Sequence, residues 1–600
     1  MSSNHVAGGL KLERTAEVRS GTAPIESEAV GVSFNNHDDN EKAPLEDPDG
    51  REPTDEEKAT LRKVAGTIPV ISWALCVAEL AERASYYGAS HVFNSYMQFP
   101  LPEGGNGSGA VPKSNPNGHA GALNMGLQFA SAFSTLFKFL AYIFPIFGAY
   151  IADVHLGRFK TILLGVIIGA VAHIIMVGGA VPSLLKAGKG LAPFLVSFFI
   201  LAIGAGIFKP NVAPTVIDQY TNQRQVIKTL KSGEKVIVDP ERTIQRVMLI
   251  FYGFVNAGAF FAIATTYTEK YVGFWLAFLL PGIVYFLLPF LLLAIYKRLV
   301  IKRPDGSELT TCLKIVWTGL KLNKGQVWKK DFWSVATPSK LAESQSSIQA
   351  TWTDRAVLDI QRTFEACMVF LYFPIYNLNN GGIGAVLSNQ GASMLNNGAP
   401  TDLLSNFNPL SIVVFAPILS YGLYPLLARF NIRFGPIRRM TCGFILAAIS
   451  GAIGAIIQWR IYKTSPCGYQ ASTCDDVSPV NIWWQLPIVA LGAISELFCN
   501  VTAYEMAYAR SPPHLKSIVM ALFLSTTALS SALSLIITPA IIDPHLVWVW
   551  AGPAIALFAQ TIIFWFRHHK LDDDIYILEE IIPMQEESVE KTVVREVEKV

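Results

Sequence analysis

The chain has 600 residues, of which 51% are hydrophobic and only 16% are charged. Soluble proteins carry charge on roughly a quarter of their residues, so this composition excludes an ordinary soluble protein and indicates one embedded in lipid. The net charge of +2 suggests no particular partner, and we expect none among nucleic acids. The seven cysteines lack metal-ligand spacing, and no metal is expected.

Residues 1–65 are polar, acidic and rich in Gly, Pro, Ser and Asn, without an apolar stretch. They predict a disordered cytoplasmic tail and no cleavable signal peptide. Twelve apolar segments of about 20 residues or more follow, each long enough to cross a bilayer. We predict spans at 68–95, 121–150, 159–182, 191–220, 246–267, 272–297, 358–382, 408–428, 437–459, 483–509, 517–540 and 546–567.

The long polar segment between the sixth and seventh spans predicts two six-helix halves. The expected units are an N-terminal bundle at 66–297, a cytoplasmic linker at 298–356, a C-terminal bundle at 357–568 and a cytoplasmic tail at 569–600. Within the linker, Cys312–Leu322 fits either an amphipathic helix on the membrane surface or a solvated helix.

Lysine and arginine predict the orientation, because cytoplasmic loops are enriched in both residues. Loops after even-numbered spans are rich in them, whereas those after odd-numbered spans hold only Lys113, Lys186, Lys189, Lys270, Arg460 and Lys463. Both termini are therefore predicted to be cytoplasmic. Two outer-loop features agree: a glycosylation sequon at Asn106 and the cysteines Cys467 and Cys474, which can form a disulfide outside the cell.

A few ionisable residues lie inside apolar spans, where each costs about 2.5–3.5 kcal/mol without a partner or a polar cavity. The first span carries Glu79, Glu82 and Arg83; Glu79 and Arg83 are four residues apart on one face, which also fits a static pair. Lys209 and Glu496 lie in different halves, and neither has an opposite charge near it on its own helix. We therefore predict a central cavity in which Lys209 and Glu496 approach one another in at least one conformation.

Several ordered motifs carry a resemblance. Glu79–Gly88 reads ELAERASYYG and resembles the ExxERFxYYG motif of the proton-dependent oligopeptide transporter family, in the major facilitator superfamily. Gly206–Asn211 and Phe251–Gly258 resemble the lysine motif of the family's fourth span and the FYxxINxG signature of its fifth. The resemblance covers about residues 68–568 and favours fungal members.

The resemblance implies an all-α integral membrane protein of the major facilitator fold, with about twelve transmembrane helices and a pocket that opens alternately to each side. It assigns proton coupling to Glu79, Glu82 and Arg83, and recognition of the peptide termini to Lys209 and Glu496. Tyr86, Tyr87, Tyr142, Asn256 and Asn408 match pocket positions of the family.

Lys138 is an addition, because fungal relatives usually have an uncharged residue there. It lies four residues before Tyr142, so both side chains point to the same face of the second span. We expect Lys138 to line the pocket as a substrate-binding residue. A fixed pair with Glu79, Glu82 or Glu496, or extension of its ammonium to the outer interface, are the alternatives.

The implied function is proton-coupled symport of di- and tripeptides by alternating access, at a membrane that we predict to be the plasma membrane. Substrate, protons and the lipid bilayer are the expected partners. Amides at Asn377, Asn379 and Asn380 replace aromatic residues of fungal relatives, which favours another small nitrogenous or peptide-like solute as an alternative. A non-transporting nutrient receptor is a further alternative. With no catalytic constellation or phosphate loop, we predict neither an enzyme nor a cofactor.

Overall fold

The computed structural model describes part of the chain, and every structural statement below concerns that part. The described residues are 50–569, without 223, 231–232, 303–307, 328, 330, 344–349, 381–382, 431–433, 475, 511 and 513–514. Most of the two predicted tails, at 1–49 and 570–600, therefore lies outside the described residues.

Twelve helical segments follow the predicted spans in order, and their bounds are as follows. The first six are Val70–Ser90, Gly126–Ile151, Arg158–Gly179, Leu191–Asp218, Pro240–Ala259 with Phe261–Tyr271, and Phe274–Phe286 with Leu288–Ile295. The next six are Asp354–Ala366 with Cys367–Tyr372 and Phe373–Asn379, Phe407–Pro417 with Ile418–Leu423 and Tyr424–Arg429, Pro436–Thr464, Leu486–Arg510, Lys516–Ile537, and Leu546–His568. We number these segments as spans one to twelve.

Among the described residues, nine helices are long and apolar enough to cross a membrane. The first, seventh and eighth spans are helical too, but the first contains several charged residues and the other two depart from α-helical geometry. The first carries three ionisable residues within its 21 positions. The seventh narrows to a 3₁₀ helix at Cys367–Tyr372, and the eighth widens to a π helix at Ile418–Leu423. Such departures from α geometry often occur at functional sites.

Shorter helices and strands precede the first span or connect the spans. The short helices are Asp55–Thr60, Phe93–Gln98, Ala152–Leu156, Pro182–Lys186, Tyr296–Arg298, Glu308–Leu322, Ser334–Ala336, Pro338–Glu343, Val386–Ala392, Leu404–Asn406, Ala471–Thr473, Ile482–Gln485 and Thr538–Ala540. The strands are Lys63–Val64, Val226–Thr229, Lys235–Val238, Met394–Leu395 and Ser478–Asn481.

Residues 51–64, which the sequence assigns to a disordered tail, are structured here, so the predicted tail is wrong for this segment. Thr54 caps the helix Asp55–Thr60 in a capping box with Glu57. The strand Lys63–Val64 pairs in parallel with Lys235–Val238, which pairs antiparallel with Val226–Thr229. The partner strands lie in the loop between spans four and five. The composition of residues 51–64 alone therefore does not show that strand pairing orders this segment.

Glycines let spans three and four pack backbone to backbone. A Cβ added at Gly165 would lie 2.9 Å from the carbonyl oxygen of Gly204, and one added at Gly204 would lie 2.9 Å from the amide nitrogen of Gly169. Small residues allow helices in lipid to approach this closely, and the close contact supplies packing energy that the hydrophobic effect does not provide there.

Candidate functional site

The first span holds a buried charge cluster. Glu79, Glu82 and Arg83 are 3%, 1% and 2% exposed. The Arg83 Nε atom lies 3.1 Å from Glu79 Oε1, and the guanidinium also pairs with Glu82. The sequence-predicted trio is therefore one ionic cluster, in which two carboxylates share a single guanidinium.

A glycine on the fifth span explains why a second helix can cover this cluster. A Cβ added at Gly258 would lie 2.6 Å from the carbonyl oxygen of Leu80 and 2.7 Å from the Arg83 Cβ. Only glycine leaves room for the fifth span at this distance. Span five therefore shields one side of the cluster and also contributes Asn256, two residues earlier, to the central cavity.

Lys209 connects the cluster with the cavity wall. Its Nζ lies 4.1 Å from the centre of the Tyr142 ring, a cation–π contact. Lys209 also interacts electrostatically with Glu79 and Glu82. A change of charge at either carboxyl group therefore alters the electrostatic environment of Lys209, which contacts the cavity-lining Tyr142.

A cavity of about 530 Å³ lies between the two halves, within the size range of small-ligand pockets. Seven of the eight predicted substrate-binding residues line it. They are Tyr86, Tyr87, Lys138, Tyr142, Asn256, Asn408 and Glu496. Lys209, the eighth, does not line the cavity and lies behind Tyr142.

Lys138 is exposed to the cavity and takes part in no salt bridge among the described residues. The fixed pair with Glu79, Glu82 or Glu496 that the sequence left open is thus not formed in this conformation. An ammonium without a carboxylate partner, in a cavity of this size, can receive an anionic group of a ligand.

Glu496 lies on the tenth span and is held by two amides. Its Oε1 atom accepts hydrogen bonds from Asn380 Nδ2 at 2.6 Å and from Asn408 Nδ2 at 3.0 Å. Two N–H donors to one oxygen fix the position of the carboxyl group. No salt bridge joins Glu496 to Lys209 in the described structure, so the predicted approach of these two groups is not seen in this conformation.

Sequence reasoning missed one wall of the cavity. Hydroxyl groups of the eleventh span line it, from Thr527, Ser530, Ser531 and Ser534. Their spacing of three, four and seven residues places them on one helical face, and this periodicity within an apolar span was a usable signal. Asn380 was noted only as the replacement of an aromatic residue, yet it orients Glu496.

Hydrogen bonds join the halves at the end that carries the loop of Cys467 and Cys474, which we call the outer end. The bonded pairs, which we call the outer seal, are Ser95–Asp402, Gln98–Asn389, Asn117–Asn396, Asn117–Asn397, Gln128–Pro539, Ser131–Ala385, Thr135–Ser534, Lys270–Asn396, Lys270–Ala399 and Tyr271–Gly398. Several are buried, and breaking a buried hydrogen bond leaves polar groups unsatisfied. The outer end is therefore closed in this conformation.

The remaining predicted sites also lie at the outer end. Cys467 and Cys474 are joined by a disulfide. Asn106 is exposed, and its Nδ2 donates to the carbonyl oxygen of Val272 at 2.7 Å. Asn106 is therefore accessible for glycosylation. A glycan attached to its Nδ2 atom would replace one of the two amide protons.

A polytopic helical chain with a polar cavity between two halves, closed at one end, defines a membrane transporter of the alternating-access class. The family model described as POT family, PTR2, matches residues 159–551. The chain is 58% identical to MFS-type transporter ucsM of Acremonium sp over 530 residues, 88% of each chain. It is 42% identical to Peptide transporter PTR2 of Candida albicans, over 87% of this chain and 85% of that one.

Among solved structures, an auto-inhibited POT family peptide transporter is similar, with a TM-score of 0.61 and 20% identity. The match covers 83% of this chain and 96% of that one. This protein belongs to the POT family. The predicted family and fold class are confirmed. The protein is a multi-pass membrane transporter and not an enzyme.

Proposed function

We propose that this protein is a proton-coupled symporter of di- and tripeptides, working by alternating access. The observation that carries the proposal is the charge distribution in the cavity. Lys138 offers an ammonium, and Glu496 a carboxylate oriented by Asn380 and Asn408. A short peptide is a zwitterion, with one end for each of these groups. The relatives named peptide transporters support the proposal.

The cluster of Glu79, Glu82 and Arg83 is our proposed site of proton coupling. Protonation of one carboxyl group leaves Arg83 with a single anionic partner and reduces the negative charge that faces Lys209. Because Lys209 contacts the cavity wall at Tyr142, proton binding in the cluster alters the ligand site. A membrane potential of 100 mV supplies about 2.3 kcal/mol per charge, which corresponds to roughly fifty-fold accumulation.

In this proposal the halves at 66–297 and 357–568 rock about the cavity. With the predicted orientation, closure of the outer seal makes the described conformation one that does not admit substrate from outside. We further propose a plasma-membrane location with both termini cytoplasmic. The helix Glu308–Leu322 in the linker has exposed apolar side chains at Leu313 and Trp317, which fits a position on the membrane surface.

The test is uptake of dialanine by proteoliposomes under an inward proton gradient. We expect accumulation above equilibrium by the native protein, and its loss in Glu82→Gln, which retains exchange of dialanine across the membrane at no less than about half the native rate. Glu103→Gln, the same change at an exposed loop position, is the matched control and keeps accumulation. Accumulation by Glu82→Gln at the native level would refute the coupling role.

A second candidate substrate class has specific support. The 58% identical relative is named only as an MFS-type transporter, and the amides of Asn377 and Asn380 line the cavity at positions where the resemblance to fungal peptide transporters led us to expect aromatic residues. A small nitrogenous or peptide-like solute is therefore the alternative cargo. Competition of dialanine uptake by a panel of such solutes distinguishes the two, and a receptor would bind without accumulating any of them.

A further inference from the structure

Two acidic side chains, one from each half, are buried at the outer seal. Glu269 lies at the end of the fifth span and is 1% exposed; Asp402 precedes the eighth span and is 2% exposed. The two carboxyl groups interact electrostatically across the boundary between the halves. Two buried like charges that interact are unfavourable unless one of them is neutralised.

The hydrogen bond of Ser95 leaves one of the two carboxyl groups without a donor. The Ser95 Oγ atom donates to Asp402 Oδ2 at 2.5 Å. A serine hydroxyl has one proton to donate, so Ser95 cannot donate to Glu269 while it donates to Asp402. In addition, Glu269 Oε2 is buried and has no hydrogen-bond partner, as expected for a position where a proton is taken up and released.

The charged neighbours compensate at most one of the two carboxylates. Lys270 Nζ donates to the Ala399 carbonyl oxygen at 2.9 Å and lies 3.5 Å from Asn396 Oδ1. No salt bridge joins Lys270 to either carboxylate among the described residues. Burial and the nearby Lys270 lower the pKa of His119 to about 4, so this imidazole is neutral at physiological pH. Two carboxylates and one ammonium thus leave one negative charge unless a proton is bound.

We propose that Glu269 and Asp402 form a proton-binding site that is occupied when the outer end is closed and is emptied when it opens. Asp402 also lines the central cavity, so the site adjoins the substrate pathway. The inference rests on the alternating access of the proposed function, but it concerns a second proton site, separate from the cluster around Arg83. Separation of the halves would part the two carboxyl groups and expose both to solvent.

The sign of the pH dependence follows from this linkage. Burial raises the pKa of Asp402 above its ordinary value, although hydrogen bonds from Ser388 and Ser95 oppose the shift. The closed form therefore holds a proton that the open form releases, so acid favours closure and alkali favours opening. For one proton, the ratio of open to closed molecules rises by at most about tenfold per pH unit.

The test measures the separation of the halves at the outer end without any substrate. Spin labels are attached to the variants Lys189→Cys in the first half and Lys463→Cys in the second, because both positions are exposed. The background is Cys442→Ser, since Cys442 is the partly accessible native thiol among the described residues. Double electron–electron resonance in lipid nanodiscs from pH 5 to pH 9 then gives the distance. We expect the native protein to move to longer distances as the pH rises.

Glu269→Gln removes one charge from the pair and cannot release a proton, so we expect the short distance at every pH. Asp402→Asn, in the other half, is expected to lose the pH dependence too. It replaces Glu269→Gln as the test variant if Glu269→Gln does not fold. Glu103→Gln, at an exposed outer-loop position, keeps the native profile. A native profile in Glu269→Gln or Asp402→Asn, or no pH response in the native protein, overturns the proposal. Because the readout needs no peptide, such a result leaves the uptake test standing.

Discussion

Lys138 and Glu496 give the cavity opposite charges that can be tested one at a time. Lys138 is exposed to the cavity and has no carboxylate partner in the described structure, so its charge is available to a ligand. Loss of one charge–charge contact of about 1–1.5 kcal/mol corresponds to roughly tenfold in affinity. We therefore expect Lys138→Gln to lower uptake of alanyl-aspartate about tenfold relative to alanyl-phenylalanine, measured by competition against labelled dialanine.

Lys138→Arg retains the positive charge and is the matched control for this preference. We expect its ratio of acidic to aromatic dipeptide uptake to stay within about twofold of the native ratio. An unchanged ratio in Lys138→Gln would show that the ammonium does not contact the ligand.

The amides around Glu496 make a separate prediction. Asn380→Ala removes the 2.6 Å hydrogen bond to Glu496 Oε1, whereas Asn377, three residues earlier, lines the same cavity and bonds Thr527 instead. A hydrogen bond to a charged group contributes about 1.5–3 kcal/mol. We expect Asn380→Ala to raise the Kd for dialanine at least tenfold and Asn377→Ala less than threefold, by binding calorimetry. Equal effects would contradict a specific role for Asn380.

At the scale of single helices, the sequence predicts the spans well because about 20 apolar residues are needed to cross a bilayer, whatever the neighbouring helices. The breaks at Cys367–Tyr372 and Ile418–Leu423 are less predictable, since they depend on hydrogen bonds that composition does not encode. The helix and strand within residues 51–64 were missed for a related reason: their partner strands lie far along the chain.

The close contact of spans three and four gives a prediction for stability. A Cβ at Gly165 would lie within 3.0 Å of backbone atoms of Gly204 and Phe208, which cannot rotate away. We expect Gly165→Ala to lower the free energy of unfolding by about 1–3 kcal/mol, the usual cost of overpacking. The measurement is the thermal unfolding midpoint in detergent, followed by tryptophan fluorescence.

Gly178 lies on the same helix as Gly165, is exposed, and has no atom within 4 Å of an added Cβ. Gly178→Ala is therefore the matched control. Because alanine has a higher helix propensity than glycine, we expect the thermal unfolding midpoint to stay unchanged or to rise slightly. A drop of the same size in both variants would mean that helix contact at Gly165 is not the cause.

At the scale of the whole molecule, the sequence predicts residues of the cavity but not the partners that cross it. Seven of eight predicted binding residues line the cavity, since their motifs place them on known faces of their spans. The pairing of Glu269 with Asp402 joins positions far apart in the chain, and no periodicity relates them. Contacts between halves also change during transport, so one sequence has to satisfy more than one set of them.

The outer seal allows the transport cycle itself to be stopped. Thr135 and Ser534 lie in different halves, with their hydroxyl oxygens 3.4 Å apart. Cysteines at these two positions would place their sulfur atoms near the present hydroxyl oxygens, from which small side-chain rotations can reach the S–S bond length of about 2.05 Å. Oxidation would then hold the halves together at the outer end.

We expect the oxidised double variant Thr135→Cys with Ser534→Cys to lose at least nine-tenths of dialanine accumulation, and to recover it on reduction. Dialanine binding in detergent is expected to stay within about threefold of native, because the exchange of two hydroxyl groups of the cavity wall leaves Lys138 and Glu496 in place. Thr135→Cys alone is the control for oxidation, and the native protein under the same reductant controls for the Cys467–Cys474 disulfide. Full accumulation by a cross-linked protein would mean that the halves do not have to separate at Thr135 and Ser534 for substrate to enter.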